Sequence, residues 1–338
     1  MTYARFALTI GLLLWVLPMT VEAQEAFDPG VKVGEMAPSF RLPNQDGVLQ
    51  DFDSLKGENG LAVLFFRSAD WCPFCKTALA QLEEARPGYE RQGLRVVGIS
   101  HDRLDILKTF ERRVGIGYPM LSDNGSKIIK EYGILNTDVP PDNERYGIPH
   151  PGMFILDESG RIVSKYFEQN FRERFTPATV LTREYGDAGG TETEIRTEHF
   201  MMTARLSQDL AAMGNRISIL LAIDLPERMH LYAPGVEGYR SIALNIDDHP
   251  AVTLRATEFP EPEVLYLEAI DESVPVYHDT VRLTRDFVMG ETDAEQIELT
   301  GTLSYQACND VICFLPTEVP LSFTLNVGGL DRVPFTGN

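Results

Sequence analysis

The sequence predicts an α/β domain followed by an all-β sandwich. Three observations carry this expectation. Residues 61–66, Leu-Ala-Val-Leu-Phe-Phe, form an unbroken apolar run, as a strand buried on both faces requires, and strand and helix patterns alternate around it. Beyond about residue 200 the helical periodicity fades and short alternating strands recur between turn residues. The chain is 338 residues long, more than one compact domain ordinarily needs.

The first segment, 1–23, reads as a secretory leader. Arg5 supplies the positive charge, 6–21 is an apolar run, and Val21-Glu22-Ala23 suits a small-residue cleavage site. An uncleaved anchor is the alternative, but the run is short for a spanning helix and Pro18 breaks it. No cysteine follows it for lipid attachment, and no later segment approaches spanning length. The expected mature protein is soluble and outside the cytoplasm, where disulfides persist. Apolar residues make up 43% and charged residues 24%, an ordinary globular composition. A net charge of -20 repels nucleic acid and anionic membranes.

The α/β domain is expected over 27–182. The strand at 61–66 is followed by a short turn and a helix with Leu79, Leu82 and Ala85 along one face. A second buried strand, 94–99, ends at Ser100-His101-Asp102, and 104–114 and 125–132 read as helices. A third strand, 153–156, meets a fourth, 161–166, across the turn Asp157-Glu158-Ser159-Gly160. Residues 183–197, rich in Glu, Thr and Gly, read as a linker. The sandwich is expected over 198–328, with strands near 217–223, 242–246, 252–256, 281–284, 297–305 and 319–325. The clearest alternates Ile297, Leu299, Leu303 and Tyr305 with Glu298, Thr300, Thr302 and Ser304.

The four cysteines fall into two tight pairs, Cys72/Cys75 and Cys308/Cys313. As staples they are badly placed: closing a loop of about five residues stabilises by roughly 2 kcal/mol, against about 4–5 kcal/mol for a loop near 100 residues. Close pairs that open and close without disturbing a fold suit a dithiol carrier. Cys72-Pro73-Phe74-Cys75 sits where a strand gives way to a helix. There unpaired N–H groups and the helix dipole favour a thiolate, and Pro73 suits the first turn because its missing N–H needs no partner. Cys72 is thus the candidate nucleophile, Cys75 the resolving thiol, and Trp71 a flat contact for a partner. A zinc site made from both pairs and a fixed structural disulfide are the alternatives. His101 and His150 are candidate bases, His150 being the better placed to modulate Cys72.

At this point the residues resemble a family. Gly34-Glu35-Met36-Ala37-Pro38-Ser39-Phe40, Trp71-Cys72-Pro73-Phe74-Cys75, Val97-Gly98-Ile99-Ser100 and 151–157, Pro-Gly-Met-Phe-Ile-Leu-Asp, resemble the redoxin group. This group comprises thioredoxin-fold proteins of the alkyl hydroperoxide reductase/thiol-specific antioxidant (AhpC/TSA) type and the periplasmic TlpA-like reductases. The resemblance implies a thioredoxin-like fold, no cofactor, and a cis-proline facing the cysteines, with Pro151 the best fit and Pro149 the alternative. Two departures matter. Peroxiredoxins of the group carry a Pro and a Thr or Ser at positions held here by Phe65 and Ala69, although Ser68 and Arg67 are near. Thioredoxins carry a buried carboxylate where Phe66 stands here. Disulfide exchange is therefore preferred over peroxide reduction.

The segment 305–316, Tyr-Gln-Ala-Cys-Asn-Asp-Val-Ile-Cys-Phe-Leu-Pro, fits a hairpin whose flanking cysteines face each other. With 229–235, 274–277 and 281–284, it resembles the N-terminal periplasmic domain of DsbD. That likeness implies an immunoglobulin-like sandwich in which Cys308 and Cys313 exchange electrons behind a shielding loop near 271–277. The combined expectation is a periplasmic relay of the Gram-negative type. A membrane or periplasmic thiol donor feeds it, and protein disulfides are its substrates.

Overall fold

The computed structural model describes residues 27–187, 189–236, 238–267, 271–309 and 311–333. The expected leader, 1–23, lies outside them. A hairpin of β1 (Arg41–Pro43) and β2 (Leu49–Asp51) leads into α1 (Phe52–Leu55), which Asp51 and Ser54 cap reciprocally. Next come β3 (Gly60–Phe65), α2 (Pro73–Arg91), β4 (Leu94–Ser100), α3 (Leu104–Val114), β5 (Met120–Ser122) and α4 (Lys127–Glu131). The domain continues with β6 (Gly152–Leu156), β7 (Ile162–Phe167), β8 (Arg174–Phe175) and α5 (Pro177–Tyr185).

The central sheet has the order β5-β4-β3-β6-β7, with β3, β4 and β5 parallel and β6 and β7 antiparallel to their neighbours. All six residues of β3 are buried, as the apolar run requires. Their alternation divides them between two cores. Ala62 and Leu64 join Leu79, Leu82, Phe110 and Val180 on one face. Leu61, Val63 and Phe65 join Leu55, Ile129, Tyr132 and Phe154 on the other.

The second domain is all β. Its strands are β9 (Thr193–Arg196), β10 (Met201–Leu206), β11 (Leu210–Ala212), β12 (Asn215–Asp224), β13 (His230–Tyr232), β14 (Ala243–Ile246) and β15 (Val252–Glu258). They continue with β16 (Glu263–Leu267), β17 (Glu272–Tyr277), β18 (Thr280–Met289), β19 (Gln296–Tyr305), β20 (Ala307–Cys308) and β21 (Thr317–Gly328). One sheet runs β15-β18-β12-β10-β9 and the other β11-β21-β19-β14. Between them Ile217, Leu221, Leu283, Phe287, Leu299 and Leu303 form the core. A third, smaller sheet, β16-β17-β13-β20, closes one end.

The two domains share backbone. β8, from the α/β domain, pairs in parallel with β12, Arg174 opposite Asn215 and Phe175 opposite Arg216. Immediately after it, α5 packs between α2 and β12. The junction centres on Asp286, only 1% exposed, which accepts hydrogen bonds from Ser218 Oγ at 2.6 Å, Arg216 Nε at 2.7 Å and Arg183 Nη2 at 3.1 Å. Arg183 comes from α5 and also reaches Glu258, while Arg216 also holds Glu168. The stretch read as a linker, 183–197, therefore holds the end of α5 and all of β9, leaving 186–192 between them.

Removing Asp286 takes the shared, buried carboxylate from two half-buried guanidinium groups and leaves them only Glu258 and Glu168. Asp286→Ala is expected to cost about 3 kcal/mol and to split one thermal transition into two, measured by calorimetry. A single transition of unchanged midpoint contradicts this role.

Candidate active site

Cys72 is the N-cap of α2, with Pro73 at the first helical position, and its Sγ accepts from the Cys75 N–H at 3.3 Å. The two cysteines are joined as a disulfide, Cα to Cα 5.3 Å. Cys72 is 2% and Cys75 0% exposed. The backbone N–H of Arg67 points at Cys75 Sγ at 3.4 Å, and Arg174 Nη2 approaches the same sulfur at 3.7 Å. Trp71 is half-buried and lies between guanidinium groups, Arg67 at 5.0 Å and Arg145 at 4.5 Å from its ring.

A buried carboxylate shapes the turn before Cys72. Asp102, 4% exposed, accepts from Ser68 Oγ at 2.8 Å, the Ala69 N–H at 2.7 Å and Ser100 Oγ at 3.1 Å. Burial nevertheless pushes its carboxyl up to about 6. Ser68 is thereby turned to Asp102 rather than to sulfur, so it does not replace the hydroxyl missing at Ala69. Asp102 and Arg174 are the residues that sequence reading missed as part of this site. The strand-end position of Asp102 was the available signal; Arg174 had none.

The proline expectation is corrected. No cis peptide bond occurs among the described residues, so the bonds before Pro149 and Pro151 are both trans, the isomer favoured by about 0.5–1 kcal/mol. The backbone ahead of Pro151 is already paired: the His150 N–H donates to Ile134 O at 2.7 Å, and Pro149 bridges Leu135. Pro151 then leads into β6, where Gly152 faces Phe65. His150 packs edge-on against Phe27 at 5.2 Å, and burial lowers its imidazole below the usual range. Among the described residues it has no hydrogen bond to either cysteine. His101, also lowered by burial, lies near Asp123.

The second pair is likewise a disulfide, Cys308 to Cys313. Cys308 is 1% exposed and faces His230 across β20 and β13, whereas Cys313 is exposed. The Tyr232 hydroxyl touches both sulfurs, at 3.6 Å and 3.5 Å. Tyr232 stacks on Tyr239 at 4.3 Å, and Val274 and Val276 pack with Cys308 and Tyr232. The segment 271–277, expected as a shielding loop, is mostly strand β17, and Tyr239 from the loop before β14 completes the cover.

The two pairs lie at opposite ends of the sandwich. Arg174, against Cys75, pairs with Asn215 at the start of β12; Cys308 pairs with His230, just beyond Asp224 at its end. A strand of 10 residues separates these ends by about 30 Å. One zinc ion cannot bridge that span, and among the described residues no group of three or more potential ligands could hold a metal.

Residues 33–165 match the AhpC/TSA family, and residues 198–324 match the N-terminal part of thiol:disulfide interchange protein DsbD. The chain joins an AhpC/TSA-type redoxin domain to a DsbD N-terminal-type domain. Similar proteins include the putative peroxiredoxin bcp of Coxiella burnetii, 28% identical over 136 residues, covering 39% of this chain and 85% of that protein. The thiol-disulfide oxidoreductase ResA of Bacillus thuringiensis is 26% identical over 145 residues, covering 43% and 75%. Peroxidoxin BcpB from Mycobacterium tuberculosis, a solved structure, is 18% identical and covers 45% of this chain and 92% of its own, with a TM-score of 0.39. The redoxin domain is accordingly that of a thiol-based oxidoreductase.

A raised Asp102 means that the folded redoxin domain keeps a proton the unfolded chain has lost, so this contribution to stability declines as pH rises towards about 6. The stability of wild type relative to Asp102→Asn should fall by about 2 kcal/mol between about pH 4.5 and pH 7, read from urea unfolding. A difference independent of pH contradicts the assignment.

Proposed function

We propose that this chain is an exported thiol–disulfide oxidoreductase that carries reducing equivalents through Cys72/Cys75 and Cys308/Cys313 to protein disulfides. The observation that carries the reading is that both pairs close as short local disulfides, each seated against hydrogen-bond donors. Such loops staple almost nothing, yet their sulfurs are held in place. Cys72 is the nucleophile of the redoxin pair and Cys75 its resolving thiol. At the other end the exposed Cys313 is the sulfur open to attack. Val311 and Leu315 beside it, each 84% exposed, offer a protein partner an apolar landing surface.

The separation of the pairs shapes the route. With the domains joined through β8 and β12, electrons pass between the two pairs of different molecules, or through a third dithiol protein, and not within one chain. A thiol donor in the membrane or the periplasm supplies them. Export rests on the leader-like sequence at 1–23, and among the described residues no helix is long and apolar enough to cross a membrane. Trp71, Pro73, His150 and Pro151 frame the substrate side, Pro73 by starting the helix and the others by shaping its rim.

The similarity to proteins named peroxiredoxin supports a second reading, thiol-dependent peroxide reduction. Against it, Phe65 and Ala69 hold the positions that supply that chemistry, and Ser68 is committed to Asp102. The two readings separate in one pair of assays driven by a dithiol. Insulin reduction should fall at least 100-fold in Cys72→Ser. Replacing Cys308 and Cys313 by Ala should leave dithiothreitol-driven turnover within about twofold. Peroxide consumption faster than insulin reduction would instead place peroxidase activity first.

A further inference from the structure

Arg174, 8% exposed, reaches the redoxin pair from β8, the strand that joins the two domains. Its Nη2 lies 3.7 Å from Cys75 Sγ, while its Nε and Nη1 have no hydrogen-bond partner among the described residues. Nearby, Arg67 Nε is also buried and without a hydrogen-bond partner. No carboxylate forms an ion pair with either guanidinium among the described residues. Burial without an anion is costly enough to bring the Arg174 guanidinium down to about 9, with the Arg67 charge adding to the effect. With the cysteines closed as a disulfide, this positive cluster faces neutral sulfur.

The remaining charges are committed elsewhere. Lys76, next on the helix, donates to Val333 O at 2.6 Å and lies 3.9 Å from Asp331. Asp102 is held behind the turn by Ser68, Ala69 and Ser100. Asp70, in the same turn, acts on Asp102 and on Lys76. Arg216, on β12, has Glu168 and Asp286. Arg145 stacks on Trp71. The group still lacking is an anion at Cys75 Sγ.

We propose that Arg174 is a catalytic residue, the counter-ion of a Cys75 thiolate, so that the reduced pair carries its charge on the second, buried cysteine. The proposal deepens the oxidoreductase reading and rests on it. A donor thiolate attacks Cys72 Sγ, the S–S bond breaks, and its electron pair leaves on Cys75 Sγ, where Arg174 and the Arg67 N–H receive it. A second donor thiolate, formed by loss of a proton, then attacks the donor sulfur of the mixed disulfide and leaves as donor disulfide. Cys72 takes up one proton. Two electrons and one proton thus turn the disulfide into a thiol and a thiolate. In the other direction Cys72 passes its proton to Cys75 and attacks the substrate disulfide; the departing substrate thiolate takes that proton, and Cys75, ionised again, attacks the mixed disulfide on Cys72 and expels the second substrate thiolate. The sandwich completes this site: the Arg174 N–H donates to Gly214 O at 2.8 Å, and Arg174 pairs with Asn215.

The test uses the full chain with Cys72→Ser and Cys308–Cys313 left oxidised, following thiolate absorbance against pH. This titration needs no turnover, so it can fail while disulfide reductase activity stands. Cys75 is expected to ionise well below the pKa of about 8.5 of a free cysteine. Adding Arg174→Met should lower its thiolate fraction at pH 7 at least tenfold, and Arg174→Lys should restore part of it. In the intact pair, Arg174→Met should shift the equilibrium with glutathione at least tenfold towards the disulfide. If Arg174→Met does not fold, the Cys72→Ser titration alone decides. A Cys75 that ionises at or above about 8.5 with Arg174 present overturns the proposal, as does a folded Arg174→Met variant with unchanged titration.

Discussion

The structure depends on one backbone pairing, two residues long. By laying Arg174 and Phe175 beside β12, the redoxin domain places its last strand in the sandwich's own sheet. The layout of the junction follows from that contact. It anchors α5 against α2, gathers Arg183 and Arg216 around Asp286, and carries a guanidinium to Cys75. It also fixes which end of the sandwich meets the redoxin domain, and so leaves the second cysteine pair at the other.

That geometry constrains the proposed relay. Two redox pairs on one chain suggest an internal hand-off. Thiol–disulfide exchange requires sulfur to touch sulfur, and about 30 Å of strand stands between these pairs. The pairs are instead two separate terminals. The redoxin terminal is basic, built around buried sulfur and arginine, within a strongly acidic protein. The sandwich terminal is apolar, with Cys313 between exposed aliphatic side chains and Cys308 behind Tyr232.

Much of this was legible in the sequence because it is local. The apolar run of β3, the turn before β7 and Pro73 at the start of α2 each express a rule that operates over a few residues. The same holds for Cys308 and Cys313, which face each other across a hairpin. What the sequence did not disclose is non-local. Arg174 meets a sulfur 99 positions away, and Ser68 meets Asp102 across 34. β8 has no strand signature because two residues cannot show a period. The stretch 183–197 looked like linker from its composition, yet β9 takes its structure from pairing with β10. The proline expectation came from the redoxin likeness, and the bonds before Pro149 and Pro151 are both trans.

The central claim is that the two terminals communicate between molecules. It is tested most directly by mixing a chain lacking Cys72 and Cys75 with one lacking Cys308 and Cys313, each inactive alone with a donor that reduces only the sandwich pair. The mixture should recover disulfide reduction, with a rate that rises with the product of the two concentrations. Wild-type turnover per molecule should also rise with concentration. An inactive mixture, beside wild-type turnover that is independent of concentration, would show exchange within one chain and contradict the account.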